Sequence, residues 1–76
     1  MQSILLKYCR IFCELSQTEL AERIGVTQSL VSKIESGVLP MQPDIERRLL
    51  KVFSEMGMDA DNILQVKQMI NEMQKG

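Results

Sequence analysis

Apolar positions recur at spacings of three and four along most of the chain, a period that predicts helices and not strands. In residues 2–14, QSILLKYCRIFCE, Leu6, Cys9 and Cys13 share one helical face and Leu5, Tyr8 and Phe12 another. That is more apolar surface than one side of a small core needs. The expectation is a first helix covered on two sides, or partly turned toward a partner. Leu20, Ala21 and Ile24 mark a second helix and Val31 and Ile34 a third. Ile45, Leu49, Val52 and Met56 repeat in a fourth, with Leu50 and Phe53 widening the stripe. Ile63, Val66, Ile70 and Met73 form a heptad-like seam on a fifth helix over residues 60–74, flanked by Leu64 and Met69. No repeat, low-complexity stretch or long linker interrupts the pattern, so residues 1–76 are expected to form one all-α domain of five helices.

Polar residues supply the punctuation. Ser3 is the expected cap of the first helix. Ser16 caps the second, because its hydroxyl accepts an orphan backbone N–H, and Glu19 three residues later completes a capping box. Gly25 stops that helix in a left-handed conformation, and Val26 plugs the turn. Thr27 caps the third helix as Ser16 caps the second. Gly37 ends it and Pro40 prevents continuation. Pro43 suits the first position of the fourth helix and Asp44 its positive end. Gly57 ends that helix, and Asp59 or Asp61 caps the last.

Residues 16–37 are therefore two short helices about a tight turn, and what lies off their apolar faces carries the chemistry. Gln28, Ser29, Ser32 and Lys33 cluster at the N-terminal and outer side of the third helix. A helix presenting such groups can enter a DNA major groove. Gln28 suits adenine through a paired donor and acceptor, while Lys33 suits guanine acceptors or a phosphate. Ser32 and Lys33 reach either bases or only phosphate. Gln17 opens the second helix, where the helix N-terminus favours a phosphate. Leu30 sits beside these positions and meets either a thymine methyl or a neighbouring apolar side chain. A plain helical hairpin accounts for the periodicity equally well, but not for this polar cluster.

The segment SQTELAERIGVTQSLVSKIESG resembles the helix-turn-helix of the phage repressor, Cro and xenobiotic-response-element type regulators. The matching residues are Ser16-Gln17, Leu20-Ala21, Gly25-Val26, Thr27, Val31-Ser32, Ile34-Glu35 and Gly37. The resemblance implies a lambda-repressor-like DNA-binding fold with base reading by Gln28, Ser29 and Lys33. It implies phosphate contacts from Gln17 and Thr27, and an internal ion pair between Arg10 and Glu35. Burial argues for the same pair, since Arg10 lies within an apolar helix and an unpaired buried charge is very costly. The loop VLPMQ, residues 38–42, departs from the family in having no Lys or Arg. Its phosphate contacts are limited to backbone amides or Gln42. The fifth helix resembles that of the small controller regulators of restriction–modification systems. It implies a dimer interface at Ile63, Val66, Ile70 and Met73, in preference to a helix that only closes the domain's own core.

Composition narrows the alternatives. Nine basic and ten acidic residues give a net charge of −1, with an isoelectric point near 5.3. Residues 1–51 carry seven basic and six acidic groups, and residues 52–76 two and four. Few phosphates can be neutralised, so non-specific DNA affinity is expected to be weak. Arg47, Arg48 and Lys51 make a basic edge that either tracks a phosphate or, in the favoured reading, is a solvated face. The chain has no His, so triad chemistry lacks its commonest base. No nucleophile–base pair, metal-ligand set or cofactor motif is visible, and no enzyme is expected. Cys9 and Cys13, four apart, are a redox or metal pair or, in the favoured reading, small apolar residues of a reduced core. Reduced thiols and the lack of a signal-peptide pattern point to a cytoplasmic protein of bacterial or phage origin, nucleoid-associated when bound to DNA. No segment reaches the ~20 apolar residues of a membrane span.

The expected function is sequence-specific duplex DNA binding by a homodimer, as a repressor on a palindromic operator. Seventy-six residues leave no room for a ligand-sensing domain, so control by concentration, a regulatory protein partner or proteolysis is expected. The competing reading is a protein-interaction module, such as an antitoxin or anti-repressor with a DNA-binding fold. The acidic balance and the apolar first and last helices favour it.

Overall fold

The computed structural model describes residues 1–75 and holds five helices: α1 Ser3–Phe12, α2 Gln17–Ile24, α3 Gln28–Glu35, α4 Pro43–Glu55 and α5 Ala60–Lys75. Among the described residues there is no strand. Helix α2 packs on α3 and α4, and α1 packs on α3 and α5. One core joins all five helices. Phe53, Leu6, Leu20, Leu49 and Ile70 are its largest fully buried side chains.

The caps explain the boundaries. Ser16 Oγ accepts from the Glu19 N–H at 3.0 Å, and Glu19 Oε1 accepts from the Ser16 N–H at 3.0 Å. The capping box expected at α2 is therefore complete. Thr27 Oγ1 accepts from the Leu30 N–H at 3.2 Å. Asp59, and not Asp61, caps α5: it accepts from the Asn62 N–H at 3.0 Å. Ser3 does not cap α1. It is already helical, and Gln2 occupies the cap position without a side-chain bond.

Four helices close by the same device. The residue two past the end returns its N–H to the carbonyl three residues before the cap, with a left-handed residue between. Gly25, Gly37 and Gly57 are that residue for α2, α3 and α4, at φ 75°, 79° and 89°. At the end of α1 it is Glu14, at φ 57°, with the Leu15 N–H bonded to the Arg10 carbonyl at 3.1 Å. This turn swings Leu15 into the core, where it is buried. It also ends α1 at Phe12, two residues short of the expected span 2–14.

Three apolar expectations are corrected. Leu50 and Met56 lie outside the core, at 38% and 37% exposure: of the two residues expected to widen the stripe only Phe53 is buried, and Met56, its expected last member, falls beyond the last turn. On α5, Val66 and Ile70 are buried in the protein's own core, while Ile63 is half-buried against it and Met73 is 56% exposed. The expected seam is thus split. α5 faces α1, and Val66 and Ile70 help to close the domain's own core. The core of so short a chain needs them.

Candidate nucleic-acid interface

The N-termini of α2 and α3 lie side by side because the left-handed Gly25 and the buried or half-buried Ala21, Ile24 and Val26 hold the turn between them. This juxtaposition brings Gln17 and Gln28, each the first residue of its helix, into contact. Gln28 Nε2 donates to Gln17 Oε1 at 2.6 Å. Gln17 Nε2 in turn donates to Glu35 Oε1 at 3.3 Å.

Beneath this pair lies the expected ion pair. Arg10 Nε donates to Glu35 Oε2 at 2.6 Å and Nη2 to Oε1 at 3.1 Å. The third guanidinium bond, from Nη1 to the Leu15 carbonyl at 2.8 Å, ties the left-handed turn to the same arginine. The two side chains are only 13% and 5% exposed. A two-point guanidinium–carboxylate contact with an extra carbonyl acceptor is the geometry in which a buried pair holds its charge. The pair is structural: it joins α1 to the end of α3 and supports the amide chain above it.

The outer face of α3 presents Gln28, Ser29 and Lys33 exposed, with Ser32 half-buried. Thr27 is exposed at the cap, and its hydroxyl oxygen is already engaged with the Leu30 amide. Leu30 is half-buried against the core, and with Ile34, Leu39 and Ile45 it lines a small cavity of about 110 Å³. Of the two readings for Leu30, packing on a neighbour is what the fold displays. The sequence-predicted site residues Gln17, Thr27, Gln28, Ser29, Ser32 and Lys33 are gathered at α3 and the cap that precedes it, with Gln17 joined to Gln28.

Two residues were missed. Lys7 and Ser36 join Arg10, Gln17, Ser32 and Glu35 around a cleft of about 210 Å³. Lys7 is exposed and brings a cation to a cleft otherwise rich in amide and hydroxyl groups. Such a set suits a phosphate oxygen beside the major groove. The signal was present: Lys7 is three residues before Arg10, hence on the same face of α1.

The loop after α3 offers less than expected. The Val38 and Leu39 amides both donate to the Lys33 carbonyl, at 2.9 and 3.1 Å, and Pro40 has no N–H. The basic edge of α4 is solvent-exposed, and two of its arginines have partners within the fold. Arg48 donates to the Ile24 carbonyl at 3.0 Å, closing the end of α2, and pairs with Asp44 at 2.9 Å. Arg47 pairs with the same Asp44 at 3.3 Å.

The two thiols are unbonded. Cys9 is buried and Cys13 half-buried. Burial, with Cys13 adjacent, pushes the Cys9 thiol up to about 11, and burial also raises Cys13. Neither is a thiolate near neutral pH, which disfavours nucleophilic or metal chemistry there. Among the described residues no group of three or more His, Cys, Asp or Glu is placed to hold a metal, and no helix is long and apolar enough to cross a membrane.

A family model described as "Helix-turn-helix" matches residues 6–47. No curated protein and no solved structure matches the chain.

Proposed function

Since the chain belongs to the helix-turn-helix family of the Cro and phage-repressor type, whose members are DNA-binding transcriptional regulators, we propose that it is a repressor that binds a roughly palindromic operator as a homodimer. The observation that carries base-specific reading is the outer face of α3. Gln28, Ser29 and Lys33 stand exposed at its N-terminal half, and Gln28 is held in one orientation by Gln17. Gln17, Thr27 and Lys7 lie around this face and supply backbone contacts that set its register on the duplex. Repression needs only occupancy of the operator.

Dimerisation is proposed through the groove where α1, the α4–α5 turn and α5 meet. Phe12, Cys13, Met56, Met58 and Met69 line it, with a volume of about 370 Å³. Phe12, Met56 and Met69, with Ile11 and Met73 elsewhere on α1 and α5, are exposed large apolar residues. This surface overlaps the expected seam of Ile63, Val66, Ile70 and Met73 at Val66, which also lines the groove, and at Met73. A second copy fits the size of the protomer, whose extents are 34 × 27 × 22 Å. Two such bodies in contact can set their recognition helices about 34–36 Å apart, one helical turn of DNA. The same apolar surface also favours the second reading, an antitoxin or anti-repressor that captures a protein partner.

Selection of binding sites from a random duplex pool tests the proposal. An enriched palindrome with half-sites about one turn apart is the expected result. Gln28→Ala or Lys33→Ala should then cost about 1–3 kcal/mol on that site. No enriched sequence at low salt would shift the assignment to the protein-interaction module.

A further inference from the structure

We propose that Glu35, which is remote from the outer face of α3, is a positioning residue that sets which way the Gln28 amide points and thereby makes Gln28 prefer adenine to guanine. The inference rests on the DNA-reading assignment above and adds a determinant of its specificity.

The argument is one of hydrogen-bond polarity. A glutamine side chain can meet a neighbour with either end, because it carries a carbonyl and an amino group of nearly equal size. A carboxylate can only accept and a guanidinium can only donate. Arg10 fills both Glu35 oxygens from one side, at 2.6 and 3.1 Å. The remaining acceptor capacity of Oε1 meets Gln17, which must therefore turn its Nε2 inward, at 3.3 Å. That forces Gln17 Oε1 outward. Gln28 must then offer it Nε2, and does so at 2.6 Å. The direction of donation runs without a break from Gln28 to Gln17 to Glu35, and Glu35 is the only member that cannot be reversed. What Gln28 has left for the groove is one N–H and its carbonyl oxygen. Adenine presents the complementary pair, the N7 acceptor and the N6 donor.

Reversal of the chain has a definite consequence. In Glu35→Gln, keeping an oxygen for the short bond from Arg10 Nε puts the new amino group in the place of Oε1, at the cost of the bond that Arg10 Nη2 makes there. It donates, so Gln17 turns its oxygen inward and its Nε2 outward. Gln28 then accepts from Gln17 and presents both of its N–H groups to the groove. Two donors match the N7 and O6 acceptors of guanine.

The test compares wild type, Glu35→Gln, Gln17→Ala and Gln28→Ala on duplex pools, and measures adenine-to-guanine discrimination at the base whose preference Gln28→Ala abolishes. Wild type should prefer adenine there. Glu35→Gln should lower the adenine-to-guanine ratio about tenfold or more, while preferences at other positions stay in place. Gln17→Ala leaves the ion pair intact and removes the link, so it should relax the ratio without moving it toward guanine. It serves if Glu35→Gln fails to fold. A Glu35→Gln variant that loses affinity uniformly across sequences, a Gln17→Ala variant with an unchanged ratio, or a wild-type preference other than adenine would each overturn the proposal. Wild type with no enriched sequence at all would instead remove the DNA-reading premise, a separate outcome.

Discussion

At the scale of single residues, Arg10 bears the largest energetic consequence. It makes two bonds to Glu35 and one to the Leu15 carbonyl from a nearly buried position. Removing one partner of such a pair leaves the other charge uncompensated and costs about 3–5 kcal/mol. A domain of this length has only about 4–11 kcal/mol in total. Arg10→Ala should therefore shift the urea midpoint sharply downward, whereas Arg10→Met combined with Glu35→Leu should recover most of the loss. An unchanged midpoint in Arg10→Ala would contradict the structural role. Cys9 gives a pH dependence of definite sign. Its thiol sits at about 11 in the fold against an ordinary 9.0, through burial first and Cys13 second. The folded state keeps the proton that the unfolded chain releases. The stability from this group is complete below pH 9.0 and is lost as pH rises through about 11. Unfolding measured across that range should show a falling alkaline limb that Cys9→Ala flattens.

The elements show why some of the fold was legible and some was not. Ser16, Glu19, Gly25, Thr27 and Gly37 are residue types whose backbone role is nearly unambiguous, so the helix-turn-helix could be bounded from letters alone. Glu14 carries no such sign. Its left-handed turn is imposed by tertiary demands, the burial of Leu15 and the Arg10 bond to the Leu15 carbonyl, and the expected span 2–14 included it. The Arg10–Glu35 pair was legible because the family resemblance implies it and a charge in an apolar helix needs a partner. Gln17–Gln28 was not, because nothing in a sequence says which amide end faces which. Glu14 also yields a prediction at this scale. A side chain held at φ 57° is strained where glycine is not, and the other three helix ends of this type use glycine. Glu14→Gly should raise stability by about 0.5–1 kcal/mol, after allowing for the extra freedom glycine gives the unfolded chain. A drop in melting temperature would show that the Glu14 side chain contributes more than its backbone costs.

For the whole molecule, the divided seam of α5 and the acidic charge balance bear on the same question. The periodicity of Ile63, Val66, Ile70 and Met73 is real, but it identifies an apolar face without saying what covers it. Five short helices need Val66 and Ile70 to close their core, and the sulfur- and aromatic-lined groove beside them is the face proposed for a second copy. The charge balance makes that copy matter. Lys7 and Lys33 are the exposed cations placed around the α3 face. Two per protomer are a small electrostatic grip, and under the proposed dimer the operator is shared between two protomers, which doubles it. With about four neutralised phosphates the dimer's log K should fall with log salt at a slope near −4, and a lone protomer's near −2. Met69→Asp places a charge in the groove at a position already 53% exposed, where folding tolerates it. Sedimentation over a range of concentrations should show the variant as monomer and wild type as dimer. The variant should bind the operator more weakly, with the halved slope. A wild type that stays monomeric while binding with the shallow slope would put one protomer on each half-site and reassign the groove to a different partner.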